Sequence, residues 1–568
     1  MPDNQLHHDL LYTALTTVFG EFDASLFSQI KPKLQWVEIS GGETLFKQND
    51  PANSMYMVIS GRLEVFLADP DGHSKKIGEV MRGGIVGEMS ILTDQPIWAT
   101  VIALRDSILV RVSKQILDYI ISVSPGVLRS ITRLVIERLR YAQAPKKLVK
   151  KKANICLLAL HETIDLLALS QNLQQLIRHK GTVYLASREI VDKVFSQRDE
   201  THTSQTDEEA HWQLSNWLNE QESKHDFLLL IADKPTPEGQ YSTWTKRCLR
   251  AADEILLIAD ALQSPEWTKQ EKQNQHELGR TETLVLLHPI DTVIPHHTAR
   301  WLQNRPRVKN HYHIRLGLSR DMERLARILS GTANGLVLAG GGAKGFAHLG
   351  VLKALLEFHI PIDFVGGTSV GGLMAGIISF DQPVDMINGF LKKAALRNPT
   401  GDYNWIPLIS LVRGKRMEQL IQATIQDFFG HLDTDVEDSW LTLFMLSSNY
   451  TQAREEIHTR GPLVKYLKAT SAIPGVFPPV IDGDDLLVDG GAFNNFPVDV
   501  MSRMPVGKVI GVDLKVDKIH KMVKETMPNS NELLRDRLRP KRLRKYHFPS
   551  LISIMHNATL LSSAGRRN

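Results

Sequence analysis

The sequence predicts a multidomain protein: an N-terminal all-β roll with flanking helices, a middle α/β unit, a C-terminal α/β domain and a basic extension. Three observations predict it. At 568 residues the chain exceeds what one hydrophobic core usually serves. Apolar residues at 42% and charged residues at 23% match folded globular usage, which excludes a disordered, collagen-like or polytopic membrane chain. The hydrophobic period also changes along the chain, from short alternating runs to buried runs separated by helical spacing.

The first expected domain covers 1–145. Between 41 and 112, runs such as SMYMVIS and GRLEVFLA alternate with turn pairs, as in a small β-roll, with Asp71-Gly72 a hairpin turn. Helical spacing flanks it at 10–19 and 114–142. Pro145, Lys146, Lys147 and Lys150 to Lys152 then mark a linker.

The second domain, 146–330, repeats apolar strand runs (NICLLAL, HDFLLLIAD, EILLIAD, TLVLLHP) between helical patterns, which implies a parallel sheet. Its pairs His296-His297 and His311-x-His313 have no carboxylate or cysteine at ligand spacing, so no metal site is expected. The third domain covers 331–513. The extension, 514–568, carries Arg535, Arg537, Arg539, Lys541 and Arg542 without an apolar period and is expected to be a surface arm.

Charge and cysteine usage narrow the setting. Lysine plus arginine exceeds aspartate plus glutamate by only four (67 − 63), so charge alone implies no nucleic-acid partner. The cysteines are Cys156 and Cys248, in no C-x-x-C pair, which suits a reducing compartment. The N-terminus does not read as a signal peptide, and the longest apolar stretch, 364–380, is broken by glycines, Thr368 and Ser369. The expectation is a cytoplasmic protein whose membrane contact is peripheral.

Two motifs carry chemistry. GLVLAGGGAKGFAHLG is a buried strand at 336–339, a glycine loop, then a helix from about Phe346. Gly340, Gly342 and Gly345 satisfy G-x-G-x-x-G, a pattern that serves dinucleotides, phosphates and oxyanions alike; Lys344 is followed by glycine, which excludes Walker A. One strand later, after an expected strand at 362–365, Gly367-Thr368-Ser369-Val370-Gly371 is G-x-S-x-G at a strand-to-helix turn. There glycines on both sides relieve crowding and leave the serine Oγ exposed. No downstream histidine stands in a catalytic setting; instead DDLLVDGGAFNNFPVDV ends a strand with Asp489-Gly490-Gly491, which taken alone reads as an ordinary turn more readily than as a base. Ser447 and Ser471 are rival serines without elbow glycines.

GGGAKG, GTSVG and DGG in this order resemble the patatin-like phospholipase family. The roll, NHYHIR, DMERLARILSGTANG and KATSAIPGVFPPV extend the resemblance to its neuropathy target esterase branch across most of the chain. The resemblance implies a three-layer α/β hydrolase domain and a serine–aspartate dyad, with Ser369 as nucleophile, Asp489 as base and the backbone of Gly340, Gly341 and Gly342 as oxyanion hole. It implies hydrolysis of acyl esters of lysophospholipids or glycerophospholipids at a membrane surface, with no nucleic-acid partner and no required cofactor. Lys344 stands where the family commonly has arginine, which keeps charge but not a bidentate contact.

GGIVGEMSILTDQPIWATVIA likewise resembles the phosphate-binding cassette of cyclic-nucleotide domains. Glu88 fits the ribose-binding glutamate, but the phosphate-binding arginine is expected at 97 or 98, where Ile97 and Trp98 stand. Without that pair the roll is expected to serve docking or an altered ligand rather than nucleotide sensing, so a cyclic nucleotide is not the expected regulator. Two rival functions are a catalytically idle ligand-sensing scaffold and a dinucleotide enzyme. The latter is weakened because Asp363, 18 residues past Gly345, begins its strand rather than ending it.

Overall fold

The computed structural model describes residues 5–20, 23–68, 74–143, 153–195, 208–234, 239–273, 282–430, 432–514 and 527–540. The expected Asp71-Gly72 turn, the lysine-rich linker and the tail beyond 540 lie outside them. The chain forms two compact units, 1–287 with 304–311 and 288–303 with 312–568.

The first unit opens with the roll. Its strands are β1 (Gln35–Ile39), β2 (Thr44–Phe46), β3 (Ser54–Ser60), β4 (Arg62–Ala68), β5 (Ser74–Met81), β6 (Ile85–Val86), β7 (Thr100–Ala103) and β8 (Ser107–Ser113). They form two four-stranded sheets, β1-β8-β3-β6 and β2-β7-β4-β5, with antiparallel pairings throughout. Met55, Met57, Val110 and Val112 pack against Leu11, Leu15, Leu117 and Ile131 of the flanking helices, so the helical spacing exists to cover one sheet. Val58, Leu63, Val101 and Leu109 form a second core.

The same unit continues with β9 (Ala153–Ala159), β10 (Val183–Ala186), β11 (Phe227–Ile231), β12 (Glu254–Asp260), β13 (Glu282–His288) and β14 (Val308–Arg315), in the order β10-β11-β9-β12-β13-β14. Strands β9 to β13 pair in parallel. β9, β11 and β13 are buried along their whole length, as parallel strands covered on both faces must be. The roll is bolted to this sheet by buried charge. Arg105 donates to both oxygens of Glu222 at 2.5 and 2.6 Å and to the Ala251 carbonyl at 2.9 Å, while Arg62 pairs Asp253 at 3.0 Å.

The second unit is built on β15 (Asn334–Leu338), β16 (Phe364–Thr368), β17 (Thr442–Asn449), β18 (Arg454–His458), β19 (Val480–Asp482), β20 (Asp485–Asp489) and β21 (Lys508–Val512). The order is β19-β20-β17-β16-β15-β21, with β18 also on β17. β21, β15, β16 and β17 run parallel; β18 and β20 are antiparallel to β17. Helices Ala347–Glu357, Val370–Ser379, Val384–Ala395 and Lys415–Phe429 supply Leu352, Met374, Ile387 and Ile421 to one core with Leu336, Val365 and Leu443 of the sheet. β16 begins and ends later than the sequence suggests, running through two glycines, because a Cβ at Gly366 would meet the Phe444 ring at 2.1 Å. In the extension, Ser530–Arg537 is a short, mostly exposed helix capped by Asn529.

Candidate active site

The sheet register brings the two proposed reacting groups together from 120 positions apart. On one edge of β17, Thr368 at the end of β16 pairs Leu446, and the next residue, Ser447, pairs Asp489 at the end of β20. A parallel and an antiparallel strand thus meet end to end on β17, and Ser369 and Asp489 stand at the junction.

Ser369 has φ 56° and ψ −128°, a conformation L-residues rarely adopt, between β16 and the helix Val370–Ser379. The flanking glycines are required by close approach: a Cβ at Gly371 would lie 2.0 Å from the Leu338 carbonyl oxygen and one at Gly367 2.5 Å from it. The turn is held by Thr470, whose Oγ1 accepts the Ser369 N–H at 2.9 Å and donates to the Leu446 carbonyl at 2.6 Å. Thr368 Oγ1 donates to the Asn494 carbonyl at 2.9 Å.

Asp489 is buried, and burial pushes its carboxyl up to about 6, opposed by the Ser369 hydroxyl and the Gly491 N–H. Oδ1 accepts the Gly491 N–H at 2.7 Å. Oδ2 completes no hydrogen bond among the described residues, although the Ser369 hydroxyl interacts with the carboxylate. Catalytic hydrogen bonds are often long or misaligned before substrate arrives. The Asp489 backbone is fixed by the Ala472 carbonyl at 2.8 Å and by Ser448 Oγ at 3.0 Å.

The glycine loop lies against the serine, and its geometry corrects one expectation. The Gly340 N–H is not an oxyanion donor, because it is spent on the Asn495 carbonyl at 3.1 Å. Gly341 and Gly342 N–H groups have no acceptor among the described residues and open the short helix Gly342–Phe346. Asn495 Nδ2 returns a hydrogen bond to the Gly340 carbonyl at 3.0 Å, so one buried asparagine clamps the loop on both sides. Gly340 is also packed hard against the serine: a Cβ there would lie 3.1 Å from Ser369 Cβ. Thr470 and Asn495 escaped the sequence reading; the signal available was only the NN dipeptide after DGG and a threonine two residues before Ala472.

The rival serines are engaged elsewhere. Ser471 Oγ donates to the Leu467 carbonyl at 2.8 Å. Ser447 Oγ lies 2.6 Å from His458 Nε2, fully buried; His458 is pushed down to about 4 by burial and stacks on Tyr466. Asp363, the dinucleotide candidate, is tied to the Arg327 guanidinium and the Asn334 N–H. Among the described residues no three histidine, cysteine or acidic side chains converge as metal ligands. Both nitrogens of His313 are engaged, with His288 at 3.0 Å and the Glu437 carbonyl at 2.9 Å.

In the roll, Glu88 is buried at the start of the helix Glu88–Thr93, after Gly87 at φ 85°. Ile97 is 4% exposed, in the core, and Trp98 is 48% exposed. Neither position offers a cation to a cyclic phosphate, so the residues present do not fit a cyclic nucleotide held in the usual way.

Residues 336–502 match the patatin-like phospholipase family, 152–332 the neuropathy target esterase family P-loop like domain, and 36–123 the cyclic nucleotide-binding domain. In order and extent these matches make the chain similar, over most of its length, to the neuropathy target esterase branch of the patatin-like phospholipases. It is 30% identical over 543 residues to patatin-like phospholipase domain-containing protein 7 of Rattus norvegicus, covering 86% of this chain and 39% of that protein. It is 28% identical to lysophospholipase NTE1 of Kluyveromyces lactis (85% and 40%) and 28% identical to neuropathy target esterase sws of Drosophila melanogaster (86% and 36%). The chain spans about two fifths of the length of these relatives.

In this chain the sheet matched as P-loop like has no phosphate loop after its first strand. β9 leads into Leu160-His161-Glu162-Thr163-Ile164-Asp165, without glycine or lysine. Asp165 accepts the Ala168 N–H at 3.0 Å, placing a carboxylate at the helix terminus a phosphate would use.

Proposed function

We propose that this protein hydrolyses fatty acyl esters of lysophospholipids or glycerophospholipids through an acyl-enzyme. Ser369 Oγ attacks the ester carbonyl while Asp489 Oδ2 takes its proton. The N–H groups of Gly341 and Gly342 stabilise the oxyanion, and protonated Asp489 returns the proton to the departing alcohol. Water then repeats the sequence to release the fatty acid. The observation that carries this reading is the junction of β16 and β20 on β17, which sets a strained serine beside a buried carboxylate whose pKa is about 6. An ordinary aspartate is too weak a base near neutrality; burial raises its basicity toward the working pH. The relatives named as lysophospholipase and esterase support the substrate class.

No step requires a metal or cofactor. Among the described residues no single helix is long and apolar enough to cross a membrane, and both cysteines are free and buried. The proposed setting is that of a peripheral enzyme reaching lipid from the cytoplasmic side. The test is fatty-acid release from lysophosphatidylcholine by wild type, Ser369→Ala and Asp489→Asn. The expected losses in kcat are about a thousandfold or more for each, and kcat/KM for wild type should fall as pH drops through about 6, where Asp489 becomes protonated. Release unchanged in Ser369→Ala contradicts the proposal.

A further inference from the structure

One loop of the second unit holds an apolar surface out into solvent. Its base is closed by an antiparallel bridge between Tyr403 and Val412 and by the Asn404 N–H on the Leu411 carbonyl at 2.9 Å. Asn404 Nδ2 donates to the Ser410 carbonyl at 2.9 Å and Ser410 Oγ to the Val412 carbonyl at 2.7 Å, so the loop satisfies its own backbone. At its tip Trp405, Ile406, Leu408 and Ile409 are 96%, 72%, 88% and 73% exposed. Contiguous exposed apolar side chains rimmed by polar groups mark interaction surfaces.

The rim identifies the partner. Residues 392–416 carry six cations, Lys392, Lys393, Arg397, Arg413, Lys415 and Arg416, against one anion, Asp402. All six cations are exposed. Tryptophan and aliphatic residues beside lysine and arginine are the composition of interfacial segments, in which the apolar part enters the acyl boundary and cations meet anionic head groups.

The loop's root is joined to the proposed catalytic base. Leu411 and Val412 N–H groups donate to the Gly475 and Val476 carbonyls at 2.9 and 3.0 Å. Val412 packs with Val476 and Phe477, and Gly414 sits against Pro478. Only a few residues earlier on the same segment, the Ala472 carbonyl accepts the Asp489 N–H at 2.8 Å.

We propose that the 403–412 loop docks the protein on an anionic phospholipid bilayer, its apolar tip inserted and its cationic rim on the head groups. Its purpose, delivery of membrane lipid to Ser369, rests on the esterase reading; the docking itself does not. The experiment is sedimentation of the full chain with vesicles of phosphatidylglycerol and phosphatidylcholine, and of phosphatidylcholine alone, for wild type and for Trp405→Ser with Ile409→Ser. Matched thermal unfolding of the two proteins establishes that the variant is folded. Wild type is expected to prefer the anionic vesicles, and the variant to bind them at least about tenfold more weakly. Hydrolysis of a monomeric, water-soluble short-chain ester should be unchanged, while hydrolysis of lysophospholipid in vesicles falls with binding.

Variant binding within about twofold of wild type overturns the proposal. So does a wild-type dimer that the substitutions dissociate without changing vesicle binding, which would give the surface to a second copy of the chain. Binding lost as expected, with no fatty acid released by either protein, keeps the docking surface and removes the esterase reading. Ester hydrolysis intact with binding unaffected removes the docking surface alone.

Discussion

The serine elbow and the cyclic-nucleotide-type cassette are both glycine-marked turns leading into helices, yet they differ in what they keep. At the elbow the polar groups are gathered: the Ser369 hydroxyl interacts with Asp489, the Ser369 N–H is held by Thr470 and Gly340 by Asn495, while Asp489 Oδ2 is left buried without a completed hydrogen bond among the described residues. At the cassette the backbone is intact, with Gly87 at φ 85° and Glu88 buried, but the cation that would answer a phosphate is replaced by Ile97 in the core and by Trp98. A turn can be held by packing alone. Chemistry needs the charged or hydrogen-bonding groups to arrive together, which they do at the elbow and do not at positions 97 and 98 of the cassette.

The sharpest way to test the contrast is Asp489→Asn, which should lower kcat by about a thousandfold or more and at the same time stabilise the fold. Burial favours the neutral carboxyl, so the folded protein holds this proton up to about pH 6 while the unfolded chain releases it near its ordinary value. Above pH 6 the ionised Asp489 therefore costs about 3 kcal/mol, a penalty that shrinks as pH falls toward 4. Chemical denaturation should find the variant more stable at pH 7 and equal to wild type near pH 4. A variant less stable at pH 7 would mean that the carboxylate is well solvated.

Asn495→Ala should come next, with kcat lowered by about ten- to a hundredfold and KM little changed, because the loop that aims the Gly341 and Gly342 N–H groups loses its clamp. Asn495→Asp, equal in size but without the donor to the Gly340 carbonyl, should fall as far; full activity in it would reduce Asn495 to a packing residue. The smallest effect belongs to the roll. Trp98→Arg restores a cation at a half-exposed position and should tighten cyclic AMP binding by about tenfold or more in calorimetry. Wild type binding as tightly as the variant would break the comparison, since another cation would then be answering the phosphate.

The sequence exposed the fold and the serine turn because both are written in local patterns: buried runs for β9, β11 and β13, and paired glycines around Ser369 that prove necessary against the Leu338 carbonyl; Asp489 alone reads as a turn and is singled out only by the family resemblance. It misplaced β16 because glycine inside a strand reads as a turn, whereas Gly366 makes room for Phe444. It assigned Gly340 a donor role that only the tertiary partner Asn495, 155 residues away, removes. Thr470 was equally silent, since nothing in its spacing shows that it bridges Ser369 and Leu446. The run NWIPLISLV is plainly apolar in sequence, but its exposure depends on the bridge from Tyr403 to Val412.

Whether Ser369 is a nucleophile activated by Asp489 is decided by site-resolved labelling with a fluorophosphonate as a function of pH. The account predicts an adduct on the Ser369 peptide, formed at a rate that rises through an apparent pKa near 6 and collapses in Asp489→Asn. An adduct on Ser447 or Ser471, or a Ser369 rate indifferent to both pH and Asp489, would contradict it.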